Sequence, residues 1–160
     1  MAVEMGTPNF IQRLEALEGD QWVREPPAPS EEIDTAEEAL GCTFPSDYRE
    51  LLRRSRSGVV YGPNTSLVYE PVNRLVELNQ GWRFTDDLSD PLVFGSDEGG
   101  CLYFFDPQDH LGNGPDAVYY VEMNVFDRDS SVLIGESLSD VVSRVLDGAN
   151  FLDYFYSTEG

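Results

Sequence analysis

The chain has 160 residues, the size of one domain, and 41% of them are hydrophobic, which suits a folded core rather than a disordered chain. Thirty acidic residues face ten basic ones, all arginine, so the formal net charge is −20. This balance argues against binding to nucleic acid or to an anionic membrane, because phosphate contacts need clusters of Lys and Arg. It favours attraction of a basic partner, although a solvated acidic surface explains the same composition.

The first half of the chain predicts helices. Phe10, Leu14 and Leu17 follow a helical spacing, and Pro-rich residues 25–29 then form a stiff connector. We expect Ser30 to cap a helix that carries Ile33, Ala36 and Leu40 on its buried side and ends at Gly41. We expect Ser46 to cap a third helix, in which Tyr48, Leu51 and Leu52 face inward.

The second half predicts strands. Short apolar runs at 59–61 and 66–69 read as strands, whereas residues 73–79 have no clean period. Residues 92–94 and 102–105 are rich in β-branched and aromatic side chains, and the turn between them contains Gly99 and Gly100, which can reverse the chain with a positive φ. Further strands are expected at 117–122 and 131–134, followed by a helix that Ser137 caps and an aromatic tail at 151–156.

The order of these elements predicts the fold class. Helices come first, strands follow in hairpin-like succession, and a helix closes the chain. We therefore expect an α+β fold, with a single domain over residues 1–160 and a mainly antiparallel twisted sheet flanked by helices.

Several short motifs follow one another along most of the chain. They are Pro29 with Glu31-Glu32-Ile33, Glu37, Leu40-Gly41, Phe44-Pro45-Ser46-Asp47-Tyr48, Leu51-Leu52, Phe94-Gly95-Ser96-Asp97-Glu98-Gly99-Gly100, Tyr103-Phe104, Asp106 and Leu138-Val141-Val142. Their order resembles the SMI1/KNR4-like (SUKH) superfamily. The resemblance covers about residues 26–148 and implies a twisted sheet with helices packed around it. The N-terminal helix and the aromatic tail would then pack on this core.

The resemblance also implies a function. Many bacterial members of this superfamily are immunity proteins that bind and neutralise a cognate toxin, and many such toxins are nucleases. A basic toxin domain would complement the charge of −20. The alternative is a regulatory or scaffold protein, as eukaryotic members are. A small hydrolase that uses the carboxylates is a third hypothesis.

The residues predict no catalytic, metal or cofactor site. His110 is the only histidine, and no zinc-ligand spacing or nucleophile elbow occurs. The loop 106–116 has the oxygen ligands of a calcium loop but lacks its terminal bidentate glutamate. With thirty carboxylates, adjacent acidic pairs are expected by chance, so we predict a protein that is not an enzyme.

Candidate partner-binding residues follow from charge and loop position, because the family has no general contact motif. They are Trp82, Asp86, Asp87, Asp97, Glu98 and Asp109. Tryptophan is favoured at binding hot spots, with core packing as the alternative for Trp82.

The chain begins without the apolar stretch of a signal peptide, and it has no apolar run that could span a membrane. We therefore expect a cytoplasmic protein with reduced thiols at Cys42 and Cys101. The identity of the toxin and the oligomeric state stay open.

Overall fold

A computed structural model describes residues 9–81 and 91–157 of the chain. The helices are α1 (Asn9–Glu15), α2 (Ser30–Leu40), α3 (Ser46–Arg54), α4 (Leu75–Gln80), α5 (Leu138–Leu146) and α6 (Tyr154–Ser157). The strands are β1 (Trp22–Arg24), β2 (Gly58–Tyr61), β3 (Ser66–Tyr69), β4 (Leu92–Ser96), β5 (Cys101–Phe105), β6 (Val118–Glu122) and β7 (Val132–Gly135). Short 3-10 helices span Val72–Arg74, Met123–Val125 and Phe151–Asp153.

The seven strands form one sheet in which they lie side by side in chain order, β1 to β7. Each of the six neighbouring pairs is antiparallel. This arrangement confirms the predicted α+β class and the predicted antiparallel sheet. Because every strand pairs with its neighbour in sequence, successive turns alternate between the two ends of the sheet.

The sheet is buried on both faces in its centre. Tyr103 and Phe105 of β5 belong to the main core, which lies between the sheet and the helices, whereas Leu102 and Phe104 belong to a second, smaller core on the opposite face. All five residues of β5 are buried. Burial on both faces explains why β5 reads as a continuous apolar run rather than as an alternating one.

The first residues of α2 and α3 contradict the prediction that serines cap these helices. Helices α2 and α3 begin at Ser30 and Ser46, and the capping positions belong to Pro29 and Pro45, with no side-chain cap hydrogen bond. The capping prediction was wrong because each proline already supplies the extended conformation from which a helix can start. Ser137 does cap α5, since its side chain accepts a hydrogen bond from the backbone N–H of Asp140.

The stretch that showed no clean period contains helix α4. Its Leu75 is buried in the main core, and Leu78 packs against both cores, so the apolar side chains do not follow one helical face. Asn79 joins α4 to the sheet. Its side chain accepts a hydrogen bond from Val93 N (2.7 Å) and donates to Val93 O and Leu75 O (2.9 Å each).

The terminal segments pack on the core. Phe10 and Leu14 of α1 and Phe151 of the tail are buried in the main core. The ring of Phe155 stacks on Tyr120 with 5.3 Å between the centroids. In the described part of the chain, no helix is both long enough and apolar enough to cross a membrane.

Candidate functional site

Three segments that are distant in sequence meet at one end of the sheet. The β2–β3 turn (62–65) joins paired residues Tyr61 and Ser66, and the β4–β5 turn (97–100) joins two further neighbouring strands. Strand β6 ends beside the second turn, because Glu122 pairs with Cys101. We call this end, with the 3-10 helix 123–125 that follows β6, the turn end.

The β4–β5 turn is organised by the carboxylate of Asp97. Its Oδ1 accepts hydrogen bonds from the backbone N–H groups of Gly99 (2.8 Å) and Cys101 (3.1 Å), and its Oδ2 accepts one from the Tyr120 hydroxyl (2.5 Å). Asp97 therefore has a structural role besides any role in binding. Burial raises the pKa of Tyr120, and the bond to Asp97 raises it further, so the phenol stays neutral and continues to donate.

Two residues of this turn have left-handed backbone conformations. Gly100 has a φ of 117°, as expected for a glycine in a reversal, but the other left-handed residue is Glu98, with a φ of 69°, rather than Gly99. A left-handed conformation is unfavourable for a residue with a Cβ atom. The turn holds Glu98 there with its side chain exposed to solvent.

Two partly exposed apolar residues follow strand β6 beside this turn. The backbone N–H of Met123 donates to Gly100 O (2.9 Å), which places the 3-10 helix 123–125 against the β4–β5 turn. The side chains of Met123 and Val125 are 40% and 44% exposed. Together with the exposed carboxylates of Glu98 and Glu122, they form what we call the turn-end surface. Apolar residues next to unpaired carboxylates are compatible with binding to a protein.

The acidic excess is greatest in the half of the chain that forms this surface. Residues 91–157 contain twelve acidic side chains and two arginines, whereas residues 9–81 contain thirteen and seven. On the helical side, arginines pair with these acids, as in Arg49–Glu37 (2.6 Å) and Arg54–Glu15 (2.9 Å). Within the described ranges, no arginine lies within ion-pair distance of Glu98 or Glu122.

The structure does not bring all the predicted site residues together. Asp97 and Glu98 share the β4–β5 turn, whereas Asp109 follows the other end of β5. At the usual rise per residue, the length of β5 separates these two ends by about 16 Å. The carboxylate of Asp109 accepts a hydrogen bond from Gly114 N (2.8 Å), so it closes its own loop. Trp82, Asp86 and Asp87 lie outside the described residues.

Among the described residues, His110 and the loop 106–116 form no metal site. The His110 ring lies 3.1 Å from the Gln108 side chain and is exposed. In residues 9–81 and 91–157, no group of three or more His, Cys, Asp or Glu side chains could hold a metal ion. The Oδ2 of Asp106, in the loop that resembled a calcium site, accepts a hydrogen bond from Leu111 N (2.6 Å).

Sequence reasoning missed Glu122, Met123 and Val125. The sequence predicted that the strand ends at Glu122, but it gave no sign that the next residues lie against the β4–β5 turn. Only the pairing of β6 with β5 shows that the segment lies beside Glu98.

The antiparallel sheet with helices packed on it makes the chain a single α+β domain. The model of the SMI1 / KNR4 family (SUKH-1) matches residues 27–144, and the chain belongs to this family. This membership supports, at the level of the family, a protein of the immunity or binding type. The comparison with curated proteins found no match.

Proposed function

We propose that the chain is a bacterial immunity protein that binds and neutralises a cognate toxin in the cytoplasm, acting by binding alone and without catalysis. Its partner is a basic toxin domain, of which a nuclease is the best-matched kind. Membership of the SMI1 / KNR4 family supports the general class. The turn-end surface supports the chemistry of the partner.

The observation that carries this proposal is the combination of exposed carboxylates and exposed apolar side chains on one surface. Glu122 directly precedes Met123 in the chain, and the bond from Met123 N to Gly100 O places this segment against the turn that carries Glu98. Among the described residues, no arginine forms an ion pair with either carboxylate. The apolar side chains would be removed from water on binding, at about 25 cal/mol per Å² of area. The carboxylates would steer a basic partner and determine its orientation.

A nuclease suits this surface because its own substrate is polyanionic. A protein that binds nucleic acid presents Lys and Arg clusters to the phosphates. A surface of carboxylates that occupies the same clusters would block access of the substrate. Neutralisation would then need no chemical step and no cofactor.

Co-expression in bacteria tests the proposal. The product of each gene that flanks the gene for this chain would be induced in a sensitive host, with and without the chain, to find the toxin. We expect the chain to restore growth, and we expect the purified proteins to form a stable complex. Growth arrest that persists despite soluble chain, or a toxin that does not bind it, would contradict the immunity function and favour the regulatory or scaffold alternative.

A further inference from the structure

A polar pocket of about 420 Å³ opens at the turn end, on the side of the sheet that faces the helices. The β2–β3 turn, the beginning of the β4–β5 turn, strand β6 and the 3-10 helix 151–153 enclose it. Its lining includes Gly62, Pro63, Asn64, Asp97, Tyr120 and Leu152. Asp97 is the one charged side chain among them.

The wall formed by the β2–β3 turn is fixed in place. A Cβ atom on Gly62 would lie 2.1 Å from Val145 O, so only glycine lets the turn approach the end of α5 this closely. The Asn64 side chain donates to Gly148 O (2.7 Å), and the Tyr103 hydroxyl donates to Ser66 O (2.8 Å). The pocket is therefore preformed, and a ligand would lose little free energy in ordering it.

The pocket has the electrostatics of a cation site. The carboxylate of Asp97 is held by its bonds to two backbone N–H groups and Tyr120, but two oxygens offer about four acceptor positions, so acceptor capacity remains. The Asn64 amide donates with its nitrogen, which leaves its oxygen as a further acceptor. The β2–β3 turn also rests on the C-terminal end of α5, where the helix dipole is negative.

The rim of the pocket is apolar. Leu152 is 45% exposed, and Pro63 also lines the opening. A side chain with an apolar stem and a cationic head matches both parts of this site. The planar guanidinium of arginine bonds to carboxylate and amide oxygens in a fixed geometry, which a lysine ammonium does not.

We propose that this pocket receives one arginine side chain of the protein partner, with the guanidinium at Asp97 and the aliphatic stem against Leu152 and Pro63. This inference rests on the proposed function and adds to it the anchor that the partner supplies. It places the anchor beside the turn-end surface, because Asp97 and Glu98 are consecutive residues of one turn.

An NMR titration tests the pocket without the toxin. The probe is N-acetyl-arginine amide, and the control is N-acetyl-citrulline amide, which has nearly the same shape but no charge. We expect the arginine probe to cause saturable shifts of the backbone amides of Thr65, Ser66 and Leu152, with at least tenfold weaker binding of citrulline. Equal binding of the two probes, or shifts spread evenly over the acidic surface, would overturn the proposal.

Variants that change the charge at the pocket should change its affinity for the arginine probe. Asp97→Asn keeps an oxygen for the turn and removes the charge, so arginine affinity should fall at least tenfold, with circular dichroism as the check on folding. Leu152→Arg places a guanidinium at the rim and should abolish probe binding even if Asp97→Asn does not fold. Leu133→Arg is the matched control, because Leu133 is 41% exposed and lies away from the pocket, against residues 113–116 and Glu136.

The test of the pocket and the test of the immunity function can fail independently of each other. Unchanged probe binding in Leu152→Arg would overturn the pocket even if the chain still restores growth in the co-expression assay. Loss of probe binding in Leu152→Arg but not in Leu133→Arg would support the pocket whether or not the co-expression assay finds a toxin.

Discussion

The buried side chain of Asn79 connects helix α4 to the sheet by hydrogen bonds. Its removal should destabilise the protein strongly. Strand β3 pairs with β4 only as far as Gly95, so Val93 has no partner strand on that side. The Asn79 amide takes the place of that strand for both the N–H and the C=O of Val93. Each buried group that loses its partner costs about 1–3 kcal/mol, so Asn79→Ala should cost about 2–6 kcal/mol.

Urea unfolding measures this loss against a matched control. A typical domain is stable by about 5–15 kcal/mol, so the loss would be a large share of the total. Asn73→Ala changes an exposed asparagine in the preceding 3-10 helix and should stay within about 0.5 kcal/mol of the wild type. Equal effects of the two substitutions would refute the reasoning.

The pH dependence of the stability of an Asn79→Asp variant is a second test of the same hydrogen bonds. Asn79→Asp would bury a carboxylate against the carbonyl oxygens of Leu75 and Val93, which raises its folded pKa above the unfolded value of about 3.9. The neutral acid can still donate a hydrogen bond. The variant should therefore be closest to the wild type at low pH and should lose stability as pH rises through the folded pKa. A pH-independent difference from the wild type would contradict this account.

Three further predictions concern other parts of the fold. Gly100→Val should lower the melting temperature, by a loss on the order of 1 kcal/mol or more, because of its positive φ, whereas Gly99→Val should have little effect; equal melting curves would disprove this difference. Burial raises the pKa of Asp47, and a raised folded pKa means that its contribution to stability is present at low pH and lost as pH rises. Asp47→Asn should therefore gain stability relative to the wild type between acidic and neutral pH, and denaturant unfolding that shows a constant difference would contradict it. Burial also raises the pKa of both thiols, so alkylation should modify half-exposed Cys42 slowly and buried Cys101 only after unfolding, as mass spectrometry can test; rapid labelling of Cys101 in the folded protein would oppose this.

The sequence predicted the elements that carry a strong local signal, such as a long apolar run, a turn glycine or a capping serine. The central hairpin followed from two apolar runs and a glycine-bearing turn, and the structure has β4 and β5 at those positions. Helix α5 followed from a capping serine and a regular apolar face. Helix α4 could not be predicted, because it has only six residues and its Leu78 packs against both cores, which leaves no clear helical period.

The candidate site was less accessible to sequence reasoning. The charge of Asp97 and Glu98 and their place in a turn were visible in the sequence, but the structural role of the Asp97 carboxylate was not. Met123 joins Glu98 on one surface only through the pairing of β5 with β6. Such a contact depends on tertiary structure, which no local pattern records.

The association rate with an inactive form of the toxin found by co-expression tests the central claim, that the turn-end surface binds a basic partner. Stopped-flow mixing would compare the wild type with the double variant Glu98→Lys and Glu122→Lys. The control, Glu25→Lys with Glu38→Lys, makes the same change in net charge at exposed residues outside the turn-end surface.

The wild-type rate should fall steeply with salt, because the Debye length shrinks from about 10 Å at 0.1 M to about 3 Å at 1 M. At low salt, the turn-end double variant should associate at least about tenfold more slowly than the wild type, and the control should change much less. A wild-type rate that does not depend on salt, or equal losses in the two double variants, would contradict the account.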